Sequence, residues 1–268
     1  QQKTSKLANS IRIVRNVTGS TYKFNTMSKG GYMTNKSRFE DITVMSDSSK
    51  SMGGSATYTG GVAAHATVTA TLNNYVAGEY VDDFDQLKTN FDFRQTYAEA
   101  IGGALARAYD SEIIAQLDAS SPTTTVTASG GLTKAKFLEI AEGLNSNDVD
   151  TADRYLVMSP AALTDLLADS GVTTAADGAI SNVALSTGFI PNFLGFNLIV
   201  SNLLSLASTG VRKCFAFQKN SVGLAVGKEV TASINYVPQK VSHLIAGEFS
   251  AGAAVIDATG VVQINVTE

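Results

Sequence analysis

The chain holds one cysteine, Cys214, and two histidines, His65 and His243, far apart in sequence. A lone cysteine excludes an intrachain disulfide and any Cys-based metal cluster. The two isolated histidines form neither an HExxH motif nor a His-rich zinc or iron site. Metal chemistry would have to run on carboxylates alone. Charge is also scarce, at 16% of residues against roughly 25% in an average soluble domain. That deficit fits a protein that buries surface against copies of itself. There is no GxxxxGK[ST] loop, no GxGxxG after a strand and no GxSxG elbow, so phosphate-cradling and nucleophile-elbow folds have no support. The opening QQKTSKLANS lacks the apolar core of a signal peptide. From Phe189 to Val211 no residue is charged, a length that meets the criterion for a membrane span. Pro191, Asn192, Gly195, Asn197 and Asn202 interrupt it, and insertion penalises such polar breaks. The expectation is a buried strand with flanking loops and no membrane partner.

The 268 residues are enough for one large or two modest domains with a real core. The first six residues read as a free arm, followed by a β-like run from Ile11 to Val17 and a turn at Gly19. From Asn35 to Val76 the pattern is a long hairpin, with Arg38 to Met45 as one strand and Thr57 to Asn73 as the other. Its tip is SDSSKSMGGS, in which Gly53 and Gly54 can adopt positive φ. Ala66, Val68, Ala70 and Leu72 alternate with polar residues, which puts His65 on the solvated face. Next, FDFRQTYAEAIGGALARAYDSEIIAQL carries Tyr97, Ile101, Leu105 and Ala108 in one stripe, and Tyr109, Ile113 and Leu117 continue it at helical spacing. From Asp92 to Leu117 this spine helix would be about 39 Å long. Gly102 and Gly103 inside it each cost about 1 kcal/mol, which predicts a close neighbour there. Ser120 to Gly131 reads as a loop or weak strand. Thr133 is placed to cap a helix bearing Phe137, Ile140, Ala141 and Leu144. Arg154 to Met158 is a short strand, and Ser159-Pro160 starts a helix with Leu163, Leu166 and Leu167 turned inward. Strands follow near Phe196 to Val200 and Lys213 to Phe217, the latter burying the Cys214 thiol. Residues 230 to 236 alternate through Val230, Ala232, Ile234 and Tyr236, before the closing runs HLIAGEF and AVIDATGVVQINV.

The stretch GEYVDDFDQL groups Glu79, Asp82, Asp83 and Asp85 just ahead of the spine. A Ca²⁺ loop spaces its oxygens over about twelve residues with a glycine inside, and that spacing is absent. Carboxylates at the start of a helix favourably meet its positive dipole end. Segment charge adds a third reading. Residues 1–78 hold nine Lys and Arg against three acids, a net of +6, and residues 79–118 hold three against nine, a net of −6. Opposite segments invite pairing, within one subunit or between neighbours. A long hairpin cannot bury both its faces on itself, so another molecule is its natural partner.

The order of these elements resembles the major capsid protein of tailed bacteriophages, a shell fold shared with encapsulins. The resemblance rests on the basic arm, the long hairpin, VDDFD and the spine pattern AIGGALARAYDSEIIAQL. It continues through RYLVMSPAALTDLL, GFNLIVSN, CFAFQKNSVGLAVGKEV and SAGAAVIDATGVVQINV, and so covers most of the chain. It implies an α+β fold: N-terminal arm and first strand (1–34), extended hairpin loop (35–76), peripheral domain with the spine helix (77–129), α/β axial domain (130–225) and return strands of the peripheral domain (226–268). It also implies a non-enzymatic virion protein, assembled in the host cytoplasm, whose hexamers and pentamers close an icosahedral shell around double-stranded DNA. Expected partners are further copies of itself, a scaffolding protein, a portal and a decoration protein; no cofactor and no metal are expected. Some relatives form Lys to Asn crosslinks, but no motif assigns one to Lys36 or Lys50. Asp82, Asp83 and Asp85 are expected as assembly contacts, facing Arg12, Arg15, Lys36, Arg38 and Lys50. An encapsulin-like nanocompartment, a secreted β-rich adhesin and a carboxylate-metal enzyme at the three aspartates are the alternatives.

Overall fold

Period-two alternation and β-branched side chains make strand more common than helix among the described residues, and three segments with helical spacing break the series. The computed structural model of the protein describes residues 4–27, 32–34, 57–59, 65–82, 88, 93–169 and 188–268. In chain order these give β1 (Arg12–Val14), β2 (Thr21–Met27), β3 (Tyr32–Thr34), β4 (Thr57–Thr59), β5 (His65–Thr71), β6 (Asn73–Asp82) and the spine α1 (Phe93–Ala119). There follow β7 (Thr124–Ala128), α2 (Lys134–Ser146), β8 (Arg154–Met158), α3 (Pro160–Ala168), β9 (Asn192–Phe193), β10 (Phe196–Val200) and β11 (Leu206–Ser208). The chain closes with β12 (Val211–Gln218), β13 (Val222–Val237), β14 (Ser242–Val255) and β15 (Val261–Thr267). The fold is mixed α+β, as expected.

Two compact units divide the chain, one of Gln1–Tyr22 with Ala70–Glu268 and one of Lys23–Thr69. The smaller unit consists of two-stranded ribbons, β2 with β5 and β3 with β4. Tyr32 faces Thr59 and Thr34 faces Thr57. The returning arm of the hairpin therefore pairs with Thr21–Met27 and Tyr32–Thr34, which precede the 35–76 hairpin expected from sequence. A pairing register is set by long-range contacts that alternation alone does not encode. The expected strand Arg38–Met45 and the SDSSKSMGGS tip lie outside the described residues. His65 is exposed, as its polar-face position predicts.

In the larger unit, a seven-stranded sheet runs β7-β15-β12-β8-β10-β9, with β11 also paired to β12. It draws β7 and β15 from beyond the 130–225 span expected for an axial domain. Its core includes Phe137, Phe196, Phe215 and Phe217, each fully buried. Phe137 meets Phe193 edge to face with ring centres 4.9 Å apart. Ser159 caps α3 as predicted, its hydroxyl accepting the Ala162 N–H at 3.1 Å. Leu166 is fully buried, and Leu163 and Leu167 are partly so. Thr133 occupies the cap position of α2 without a side-chain cap bond; the Lys134 N–H instead reaches the Asp169 carboxylate at 2.8 Å. Cys214 is fully buried, and burial pushes its thiol up to about 11.

The second sheet of this unit runs β1-β13-β14-β6, with β1 parallel to β13 and the remaining pairs antiparallel. α1 lies along β14 and β6. It buries Ile101, Leu105, Ile113 and Leu117 as its stripe predicts, whereas Tyr97 remains 36% exposed. Of the two helix glycines, Gly103 is buried, whereas a Cβ at Gly102 would meet nothing within 4 Å among the described residues. The close approach is made from the sheet side. A Cβ on Gly247 would stand 2.7 Å from Leu105 Cδ1 and 2.9 Å from Ile101 Cγ2.

Candidate assembly site

The charged residues singled out by sequence separate into internal fasteners and exposed groups. Of the acids in the −6 segment, Asp110 and Glu112 are buried on α1. Asp110 accepts the Lys6 N–H at 3.0 Å and the Leu7 N–H at 3.2 Å, together with the Ser5 hydroxyl. Residues 4–7 are thus held against the spine and are not a free arm, and Leu7 is fully buried. Glu112 accepts the Tyr75 hydroxyl. Burial, and then the Glu112 carboxylate, push the Tyr75 hydroxyl up to about 12. Asp118 pairs with Lys213. Lys6, one of the nine cations of residues 1–78, donates its Nζ to the Val200 carbonyl at 2.8 Å.

Exposed groups of both signs lie along the four-stranded sheet. Arg12 projects from β1, an edge strand paired to β13 at Gly223. Arg15 follows it and pairs with Glu229 at 3.0 Å, with both side chains more than half exposed. Asp82 ends β6, the opposite edge, where it faces Ser242 at the tip of the β13–β14 hairpin. Glu79 is exposed on the same strand. Asp83, Asp85, Lys36, Arg38 and Lys50 lie outside the described residues. Lys219, which sequence reasoning missed, joins Arg12 and Arg15 along one cleft. Nothing local marks Lys219; only the parallel pairing of β1 with β13 brings it there.

The alternation of Val230, Ala232, Ile234 and Tyr236 does occur on β13, but it does not bury them. Val230 and Ile234 are each 52% exposed and Tyr236 is 50% exposed. Tyr236 meets the His243 ring with centres 5.2 Å apart, while Val230 and Ile234 stay more than half exposed. A cluster of exposed apolar residues of this kind suits an association surface. Among the described residues no group of three or more His, Cys, Asp or Glu could hold a metal ion. No helix among them is long and apolar enough to cross a membrane.

The model of the phage capsid protein family matches residues 1–268, the whole chain. The chain belongs to the phage capsid protein family. This identifies it as a major capsid protein, a structural subunit that associates with its own copies to form an icosahedral virion shell. The adhesin alternative gives way to that match. No curated protein matches the capsid protein's sequence. Among solved structures it is similar to the capsid of cyanophage P-SCSP1u, with a TM-score of 0.73 and 16% identity over 98% of this chain and 88% of that one. It is also similar to the structure from Mycobacterium phage Che8, with a TM-score of 0.67 and 17% identity over 92% and 84%. A virus-like particle from Pyrococcus furiosus is similar at a TM-score of 0.62 and 13% identity over 98% and 92%. At such identities these likenesses establish the capsid fold.

Proposed function

We propose that this capsid protein forms hexamers and pentamers that close a shell around double-stranded DNA, without enzymatic activity and without a cofactor. The observation that carries this reading is the family match along the whole chain, supported by capsid-like folds over nearly its full length. Assembly proceeds in the host cytoplasm, with a scaffolding protein and a portal as transient and vertex partners and a decoration protein as a surface one. The spine helix with the β6-β14-β13 sheet serves as the peripheral domain, and the seven-stranded sheet with α2 and α3 as the axial domain. Lys23–Thr69 is the extended loop.

A mildly acidic subunit suits the task. The net charge of −4 keeps the wall from gripping phosphate through counterion release, which would hinder packing and ejection. Subunits meet through the charged residues of opposite sign, with Asp82, Asp83 and Asp85 facing the basic arm and hairpin of a neighbour. Electron microscopy of particles from infected or expressing cells, followed by extraction of their contents, tests the reading. Closed shells holding double-stranded DNA, or DNA-free shells from expression alone, are expected. Shells holding a cargo protein would point instead to a nanocompartment.

A further inference from the structure

Strand β13 is twice as long as its cover on one side. Arg12–Val14 pair with residues 223–225, and the Val17 N–H reaches the Val226 carbonyl at 3.1 Å. Beyond Val226 no strand among the described residues pairs with that side of β13. Residues 228–236 are then exposed without a break, while β14 holds the strand from its other side.

A long open edge is a template for pairing with another chain, and proteins that stay single blunt it with charge, proline or a bulge. On β13 these guards stand only at the ends of the open stretch. Its two charged residues, Lys228 and Glu229, lie where the register with β14 shifts, and they pair with Glu248 and Arg15. Pro238 begins the turn at the far end. Between them the seven residues TASINYV, 231–237, run in regular register with no charge, proline or glycine. The other outer strand, β6, carries the exposed Glu79 within its length.

The unguarded stretch is also complementary to itself. Laid antiparallel on a copy of itself about a two-fold axis at Ile234, it pairs along its whole length and draws in neither the irregular stretch nor Pro238. Ile234 then meets Ile234, Ala232 meets Tyr236, Ser233 meets Asn235 and Thr231 meets Val237. Small side chains oppose large ones, and no like charges are opposed. Ala232 is level with Gly247, against which Leu105 and Ile101 of α1 pack, so Ala232, Ile234 and Tyr236 project from the face that carries α1. Because α1 lies along β14 and β6, the two Ile234 side chains would meet between two spine helices.

We propose that residues 231–237 of β13 pair with the same residues of a second copy, which joins two four-stranded sheets into one across a two-fold axis. This rests on the shell reading above, since the occupant is another copy only if the chain assembles with its own kind. An isologous contact sits on a two-fold axis, and an icosahedral shell has such axes. Hexamers and pentamers close by heterologous contacts; this edge is the separate contact that joins one ring to the next.

Ile234→Cys tests the pairing on assembled shells. Cys214 is fully buried, so the added thiol is the accessible one. Opposed residues of antiparallel strands have Cα atoms about 4.5–5.5 Å apart, within the span of a disulfide. After treatment with oxidised glutathione, most of the shell protein is expected at twice the chain mass on a denaturing gel without reductant. Ser233→Cys and Asn235→Cys are each expected to stay at single mass, and the two changes together to give the dimer. Single chains from Ile234→Cys in intact shells, or dimers from Ser233→Cys or Asn235→Cys alone, overturn the proposal. If the variants do not assemble, a cryo-electron microscopy map of the unmodified shell decides. Two Ile234 Cα atoms about 4.5–5.5 Å apart across a two-fold axis are expected; another segment of the chain against residues 231–237, or an edge open to solvent, overturns the proposal. Failure of the unmodified protein to form shells at all counts instead against the shell reading itself.

Discussion

The carboxylate of Asp110, midway along the spine helix, accepts the backbone N–H of Leu7 at 3.2 Å across 103 residues of chain. The same group takes the Lys6 N–H and the Ser5 hydroxyl, so one buried side chain anchors the start of the described chain.

Removing that anchor should release the arm without dismantling the helix. Asp110→Ala leaves two backbone donors without this acceptor, at about 1–3 kcal/mol for a buried unsatisfied group. For a protein of this size that lowers Tm by several degrees, at about 2–4 °C per kcal/mol. Limited trypsin digestion should then cut after Lys6, a site the parent protects, while α1 keeps its helical signal.

Two glycines of β14 should respond differently to the same methyl group. A Cβ at Gly247 meets the ends of the Leu105 and Ile101 side chains, which can shift. One at Gly252 would lie 2.0 Å from the Thr71 carbonyl oxygen, which is backbone and cannot. Gly247→Ala should cost about 1 kcal/mol and Gly252→Ala about 3 kcal/mol or more, bracketing the range for overpacking. Urea unfolding midpoints of the subunit check the order.

Tyr75 sets an alkaline limit. Its folded pKa, about 12, is above the ordinary 10.0, because burial and Glu112 disfavour the phenolate. A raised folded pKa means the stabilisation is complete below pH 10 and is lost as pH climbs through 12. Subunit stability should therefore fall between those values, and Tyr75→Phe should flatten that fall while lowering stability at pH 7. Denaturant titrations across this pH range report both effects.

Cys214 should be inert in the folded subunit. Burial excludes reagents and pushes the thiol up to about 11, so little thiolate exists at neutral pH. Iodoacetamide at pH 7.5 should modify it only after denaturant is added.

Elements governed by near neighbours were legible in the sequence. The strand Arg154–Met158, the Ser159 cap and the burial of Ile101, Leu105, Ile113 and Leu117 follow from propensity, capping and period, all local properties. What was missed depends on distant partners. Asp110 read as one charge in an acidic segment, and its role appears only when Leu7 is brought to it. Gly102 and Gly103 predict a close approach, yet a Cβ at Gly102 meets open space and a tight contact lies at Gly247, because composition marks a small residue without saying which surface uses it. The alternation through Val230, Ile234 and Tyr236 was correct as a pattern, yet alternation does not say whether the covering layer belongs to the same chain. For the assembly site, Arg12, Arg15 and Asp82 were visible as charges. Lys219 was not, since it enters the cleft only through the parallel pairing of β1 with β13.

Self-assembly is the central claim, and mass photometry with cryo-electron microscopy of the purified protein, with and without an added scaffolding protein, tests it most directly. Closed megadalton particles built from this one chain are the predicted result. A folded protein that stays at the mass of a single chain at every concentration, in both preparations, would contradict it.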